Sequence, residues 1–150
     1  MKRYVLGFAF DGDGRVVLTR KMRPSWQRGY WNGVGGAQLD TEMFSRVAMA
    51  RTFEKETGIK VEESRWVHVG TMMHPDDVMK DDGWHVSVYK VALTDYDGDP
   101  DTITDEQVWW WNMSDLDGCR EMLHNVPLLV RLCDIPPDHT GKVPAFNLRY

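Results

Sequence analysis

Short apolar runs broken by charged turns dominate the chain. Tyr4 to Phe10 and Arg15 to Arg20 flank Asp11-Gly12-Asp13-Gly14, and a turn signal between two such runs predicts a β-hairpin. The pattern then changes period. Phe44, Val47, Ala50 and Phe53 recur at threes, which predicts a helix over 41–57 with those four residues buried and Glu56 facing a cleft. Thr41 or Asp40 would cap its start, and Gly58 suits the left-handed position after its last turn. Strands are predicted over 66–72, 84–93 and 106–111, with Asp97-Gly98-Asp99-Pro100 as a turn. A last helix over 125–133 is capped by Asn125 and stopped by Pro136. Strands with two helices in this order predict an α/β sandwich with a mixed sheet.

A chain of 150 residues has the size of one domain. One domain over 1–150 is therefore expected, with 138–150 after Pro136-Pro137 as a C-terminal extension. The net charge of −5 argues against a nucleic-acid polymer as partner, since such binding needs a basic face that releases counterions. A small anionic ligand stays open, because a local basic cluster or a bound cation reverses the field at one site. Cys119 and Cys133 lack a CxxC partner, so reduced thiols are expected. No stretch has the apolar length of a membrane span, and the start of the chain is unlike a signal peptide. A cytoplasmic protein is the expectation; the oligomeric state is not set by the sequence.

Candidate chemistry concentrates in 31–59. Trp31-Asn32-Gly33-Val34-Gly35-Gly36 brings backbone N–H groups close to a ligand, and the helix after it places acids nearby. Gly36, Glu42, Arg51, Phe53, Glu56, Gly58 and Ile59 resemble the signature of the Nudix hydrolase family, G-x5-E-x7-R-E-U-x-E-E-x-G-U with U a bulky apolar residue. Pro24, Trp26 and Gln27 upstream, and Thr104-Asp105-Glu106 and Asn125-x-Pro127 downstream, are similar to small bacterial and phage members. The resemblance implies a Nudix-like α/β/α sandwich with a mixed sheet. It also implies hydrolysis of a nucleoside diphosphate linked to another group, including nucleoside triphosphates, with Mg²⁺ or Mn²⁺.

Water attacking a phosphorus ringed by negative oxygens needs cations to neutralise charge, and hard magnesium takes carboxylate oxygen. The resemblance implies Glu56 as principal metal ligand, Glu42 and Glu106 as auxiliary acids, and Arg51 as the orienting residue. Gly35 and Gly36 would neighbour the phosphates. Arg20, Lys21 and Arg23, with Arg28 close by, are candidate phosphate contacts, a solvated strand end being as good a reading.

The departures from the signature bear on that chemistry. Eight residues instead of seven separate Glu42 from Arg51, and Thr52 and Lys55 stand where the signature has glutamate. Positions 52, 55 and 56 share a helix face by spacing. An ammonium about 5 Å from a divalent cation repels it by at most about 6–7 kcal/mol at an effective dielectric of about 20. The first reading is therefore a Mg²⁺-dependent hydrolase, and the alternative is a nucleotide-binding module that keeps the fold with little or no turnover.

The remaining residues add little. Trp26, Trp31, Trp84 and Trp109 to Trp111 include candidate stacking platforms, with core packing expected for most, and neighbours in the triple run must face opposite sides of a sheet. The five histidines show no ligand spacing, and neither GxSxG nor a Walker loop occurs.

Overall fold

A computed structural model describes residues 1–74 and 83–150. The central strand β1 (Lys2–Phe10) is flanked on one side by parallel β6 (Trp84–Ala92). On its other side it meets β2 (Arg15–Arg20) only at Phe10↔Val16, and then β4 (Val34–Ala37) over Tyr4 to Gly7. The expected hairpin is thus splayed, with the glycine run wedged in as a strand. The glycines explain the fit: a Cβ on Gly35 would stand 2.7 Å from the Val5 carbonyl oxygen.

Short β3 (Trp31–Asn32) and β7 (Val108–Asn112) pair with β2, while β5 (Val67–His74) pairs antiparallel with β6. The tail supplies β8 (Phe146–Arg149), which lies parallel to β5. The result is an eight-stranded mixed sheet.

Two apolar cores sit on its opposite faces. Val5, Ala9, Val17 and Tyr89 pack under α1 (Ser45–Thr57), whereas Leu6, Phe8, Val16, Leu18 and Val88 pack under α2 (Val126–Asp134). Both faces of β1 are covered, which is why its sequence is a continuous apolar run. The α/β/α sandwich expected from the sequence is the fold observed.

Helix α1 starts later than expected and is rotated. Its buried residues are Ala48, Met49, Thr52, Phe53 and Thr57; Val47 and Ala50 are only half-buried, and Phe44, just before the helix, is 66% exposed. Two causes are visible. The segment before the helix turns back on itself, with Glu42 N–H donating to the Leu39 carbonyl at 2.9 Å and the Gln38 amide to the Glu42 carbonyl at 2.8 Å. Gly7 on β1 then leaves room for Met49, whose Cε would lie 2.5 Å from a Cβ there. Seating Met49 fixes the phase on 48, 49, 52 and 53. Gly58 ends the helix in the left-handed region at φ 77°, as expected.

Helix α2 lies within a residue of its expected span and buries Val126, Leu129, Val130 and Cys133. Asn125 precedes it without making a side-chain cap bond. In β7, Trp110 packs on the α1-side core and Trp111 on the α2-side core, as alternation requires. Among the described residues no helix is long and apolar enough to cross a membrane.

Candidate functional site

The rotation of α1 decides what its polar residues do. Thr52 is 3% exposed and packs against Gly36, and its Oγ1 is buried without a hydrogen-bond partner. Lys55 points to solvent and Glu56 is half-buried. The face expected to gather positions 52, 55 and 56 is therefore graded from core to water.

Glu42 and Arg51 meet directly. Arg51 Nε donates to Glu42 Oε2 and Nη2 to Oε1, both at 2.9 Å, and Nη2 also reaches the Ala37 carbonyl at 3.0 Å. This fork holds the Glu42 carboxyl below its ordinary range, chiefly through the hydrogen bonds from Arg51, against the opposing effect of burial. Arg51 orients Glu42 and the end of β4 rather than its chain neighbour at 52.

Glu56 and Glu106 are brought together across the α1 side of the sheet. Thr104 Oγ1 donates to Glu56 Oε2 at 2.8 Å and accepts from the Glu106 backbone N–H at 3.2 Å. Glu106 is 2% exposed, and Lys21 Nζ donates to its Oε2 at 2.8 Å. The Met22 N–H at 3.4 Å and Arg23 Nη1 at 3.5 Å approach Oε1. Arg23 in turn grips Asp105, with Nη2 to Oδ2 at 2.5 Å and Nη1 to Oδ1 at 3.1 Å. That pair is open to water, the two side chains being 65% and 53% exposed.

The basic residues of the β2 end divide between two places. Lys21 and Arg23 join the acidic cluster, while Arg20, paired in register with Trp31, lies on the other face of the sheet. There Arg20, Met22, Arg28, Gly29, Asp105 and Gln107 line a cleft of about 310 Å³. Sequence reasoning placed Arg20 with Lys21 although alternation along a strand separates neighbours. It also gave no roles to Thr104, Asp105 and Gln107, whose signal was their position on either side of Glu106.

The divalent cation implied by the family resemblance fits this donor set poorly. Both oxygens of Glu42 are bonded by Arg51, and Glu106 is held by Lys21. Thr52 is buried and Lys55 is itself a cation. Among the described residues no three of His, Cys, Asp and Glu stand close enough to hold a metal. Glu56 is the acid with bonding capacity to spare, one of its oxygens being engaged by a neutral hydroxyl.

The NUDIX domain family model matches residues 1–128. Among solved structures, a MutT from work on Aliivibrio salmonicida and Vibrio cholerae superposes with a TM-score of 0.64 at 23% identity, covering 89% of this chain and 97% of that one. The MutT NUDIX hydrolase of Burkholderia pseudomallei gives 0.67 at 22% identity, covering 87% and 95%. The NUDIX domain of Shewanella oneidensis NrtR, solved with ADP ribose, gives 0.66 at 14% identity, covering 86% and 85%. Identities this low show likeness of fold alone. No curated protein matches the chain.

Proposed function

This chain belongs to the NUDIX family, and we propose that it acts as a binding domain for a small cytoplasmic nucleotide, a nucleoside diphosphate derivative, rather than as an efficient Mg²⁺-dependent hydrolase. One observation carries the reading: of the three acids expected to hold metal, two are already bonded by the protein's own cations, Glu42 by Arg51 and Glu106 by Lys21, which leaves Glu56 alone. Ligand phosphates would meet Arg23 first. Its pair with Asp105 is exposed, and exposed ion pairs are weakly held because water screens them. A phosphate presenting two oxygens to the guanidinium can therefore take the place of Asp105. Lys21, held on a buried acid, keeps Glu106 neutralised behind it.

A hydrolase with Mg²⁺ or Mn²⁺ is the second reading, favoured by the link from Glu56 through Thr104 to Glu106. Titration with ADP-ribose and a panel of nucleoside triphosphates, with EDTA and with Mg²⁺ or Mn²⁺, separates the two while phosphate and nucleotide release are followed. Saturable binding that persists in EDTA without release is expected. Metal-dependent release abolished by Glu56→Gln would overturn the binding reading in favour of the hydrolase.

A further inference from the structure

On a chain whose net charge is −5, the α1 side of the sheet turns positive at one end. Arg3 pairs in register with His85, His85 with Met73 and Met73 with Arg149, so these four side chains form one row across β1, β6, β5 and β8. The row shares its face with Val5 and Tyr89, further along the same strands, and that is the face under α1. His68 stands edge-on to Tyr89 at 5.3 Å between ring centroids, and the Arg46 guanidinium lies 5.9 Å from the same ring. Like charge faces like charge here. Burial first, then Arg46 and His85, holds His68 below its ordinary range, and burial with Arg3 does the same to His85. Among the described residues no carboxylate bonds Arg3, Arg46 or Arg149.

An apolar patch borders these cations. The Gln38 N–H donates to the Arg3 carbonyl at 2.9 Å, and the chain then runs through Leu39, Met43 and Phe44 into α1, where Ser45 Oγ meets the Tyr89 hydroxyl at 2.5 Å. Leu39, Met43 and Phe44 are all exposed, Met43 by 82%. Apolar side chains gathered beside arginines have the composition of a protein interface, where Met, aromatic residues and Arg are enriched.

A complementary surface occurs in the same sequence. Asp95-Tyr96-Asp97-Gly98-Asp99-Pro100-Asp101 follows β6. Arg65 grips both oxygens of Asp97 at 2.7 and 2.9 Å, and the Asp101 N–H donates to the Thr57 carbonyl at 2.9 Å, so the segment is fixed in place. Tyr96 is wholly exposed, and Asp95, Asp99 and Asp101 beside it face water. Arg65 also donates to the Ala92 carbonyl at 2.9 Å, which keeps the segment at that end of β6. From His85 to Ala92 the strand advances about 23 Å at about 3.3 Å per residue. Within one chain the acidic segment and the basic row therefore do not meet.

We infer that the protein self-associates through these two surfaces, the Tyr96 segment of one copy seating on the Met43–Phe44 patch of another with its aspartates toward Arg3 and Arg149. Tyr96 brings an aromatic face to methionine and phenylalanine. Asp95, Asp99 and Asp101 bring the carboxylates that the basic row lacks. Because segment and row lie at opposite ends of β6, a two-fold arrangement places each segment on the other copy's patch and closes the assembly as a dimer. Charge pairing between water-accessible surfaces makes the association salt-sensitive.

The test is sedimentation velocity of the full chain over a range of concentrations, at low and at high salt. One variant reverses the basic row, Arg3→Glu/Arg149→Glu, and another the acidic segment, Asp95→Lys/Asp101→Lys. All four side chains are exposed, and Asp97 and Asp99 keep their bonds to Arg65 and Trp110. The parent is expected to dimerise at low salt and to dissociate at high salt. Each variant alone should weaken the dimer at least about tenfold. An equimolar mixture of the two variants should dimerise again, because acid then meets base at both contacts, and that recovery excludes misfolding as the cause of the loss. A parent that stays monomeric at low salt overturns the inference. So does a dimer that either variant keeps, which would place the interface elsewhere, or a mixture that stays monomeric, which would show that the two surfaces do not meet.

Discussion

Thr52 lies against Gly36 so closely that a Cβ built on the glycine would come within 3.1 Å of the threonine methyl and 3.3 Å of its hydroxyl. The contact joins α1 to β4 at the point where the family signature has glutamate, and it turns a would-be metal-binding position into core. A hydroxyl buried there without a partner costs free energy that a methyl of the same shape would not. Thr52→Val should therefore stabilise the protein, by roughly 1 kcal/mol. Thr52→Glu should destabilise it by about 3–5 kcal/mol, the penalty of an unpaired buried charge. Chemical denaturation measures both, and an unchanged midpoint for Thr52→Glu would show that position 52 opens to solvent. Lys55→Glu, at an exposed position, should shift stability by less than about 0.5 kcal/mol.

The fork between Arg51 and Glu42 sets a pH dependence. Arg51 holds the folded-state pKa of Glu42 below its ordinary 4.5, so in acid the unfolded chain binds more protons than the folded one. The stability this pair contributes is present above about pH 4.5 and is lost as pH falls through the lower folded value. Glu42→Gln should flatten that part of the stability profile. A double-mutant cycle with Arg51→Ala should give a coupling of about 1 kcal/mol, modest because Arg51 is partly solvated. An acid limb equally steep in Glu42→Gln would assign the loss to other carboxylates, such as Asp97, which Arg65 holds low through two hydrogen bonds.

Cys119 and Cys133 are both free, and they differ in reach. Burial pushes the Cys133 thiol up to about 12, so it should resist thiol reagents at neutral pH while the protein is folded. Cys119 is half-buried. One thiol should titrate in the native protein and two after denaturation, with equal migration in reducing and non-reducing gels. Two rapidly reacting thiols in the native state would show that α2 does not seal Cys133 against the sheet.

Much of the framework was legible because it depends on local pattern. The spans of β2, β6 and α2 are near those the sequence implies, and Gly58 stands at the helix end that its position after the periodic run predicts. What was not legible depends on contacts distant in sequence. The phase of α1 is set by the room that Gly7 leaves for Met49, and threefold spacing of Phe44, Val47 and Ala50 cannot register a missing side chain on another strand. The glycine run carries no strand pattern of its own, and it becomes a strand only because Val5 and Leu6 lie beside it. β8 has too few residues to announce itself without β5 as a template. At the site, Glu56, Glu106 and Arg51 could be nominated from the motif and its surroundings. The hydroxyl of Thr104 that links the two acids, and the lysine that neutralises one of them, become visible only when 21 and 106 are adjacent.

That adjacency gives the last prediction. Lys21 and Glu106 form an ion pair whose side chains are 12% and 3% exposed, and in such a pair the loss of one partner strands the other charge in a poor solvent. Lys21→Met should therefore destabilise the protein, by less than the about 3–5 kcal/mol of a fully stranded buried charge, because Arg23 Nη1 still stands 3.5 Å from Glu106 Oε1. Adding Glu106→Gln removes the stranded charge, and because a buried pair gains little over neutral groups of similar volume, the double variant should recover most of that loss. A merely additive double variant would show that the two side chains do not depend on one another. The same proteins bear on function. If the pair serves as support behind Arg23, the double variant binds ADP-ribose within a few-fold of the parent once it folds. If Lys21 itself contacts the phosphates, stability returns while affinity stays low, and Lys21 rather than Arg23 becomes the residue on which ligand recognition turns.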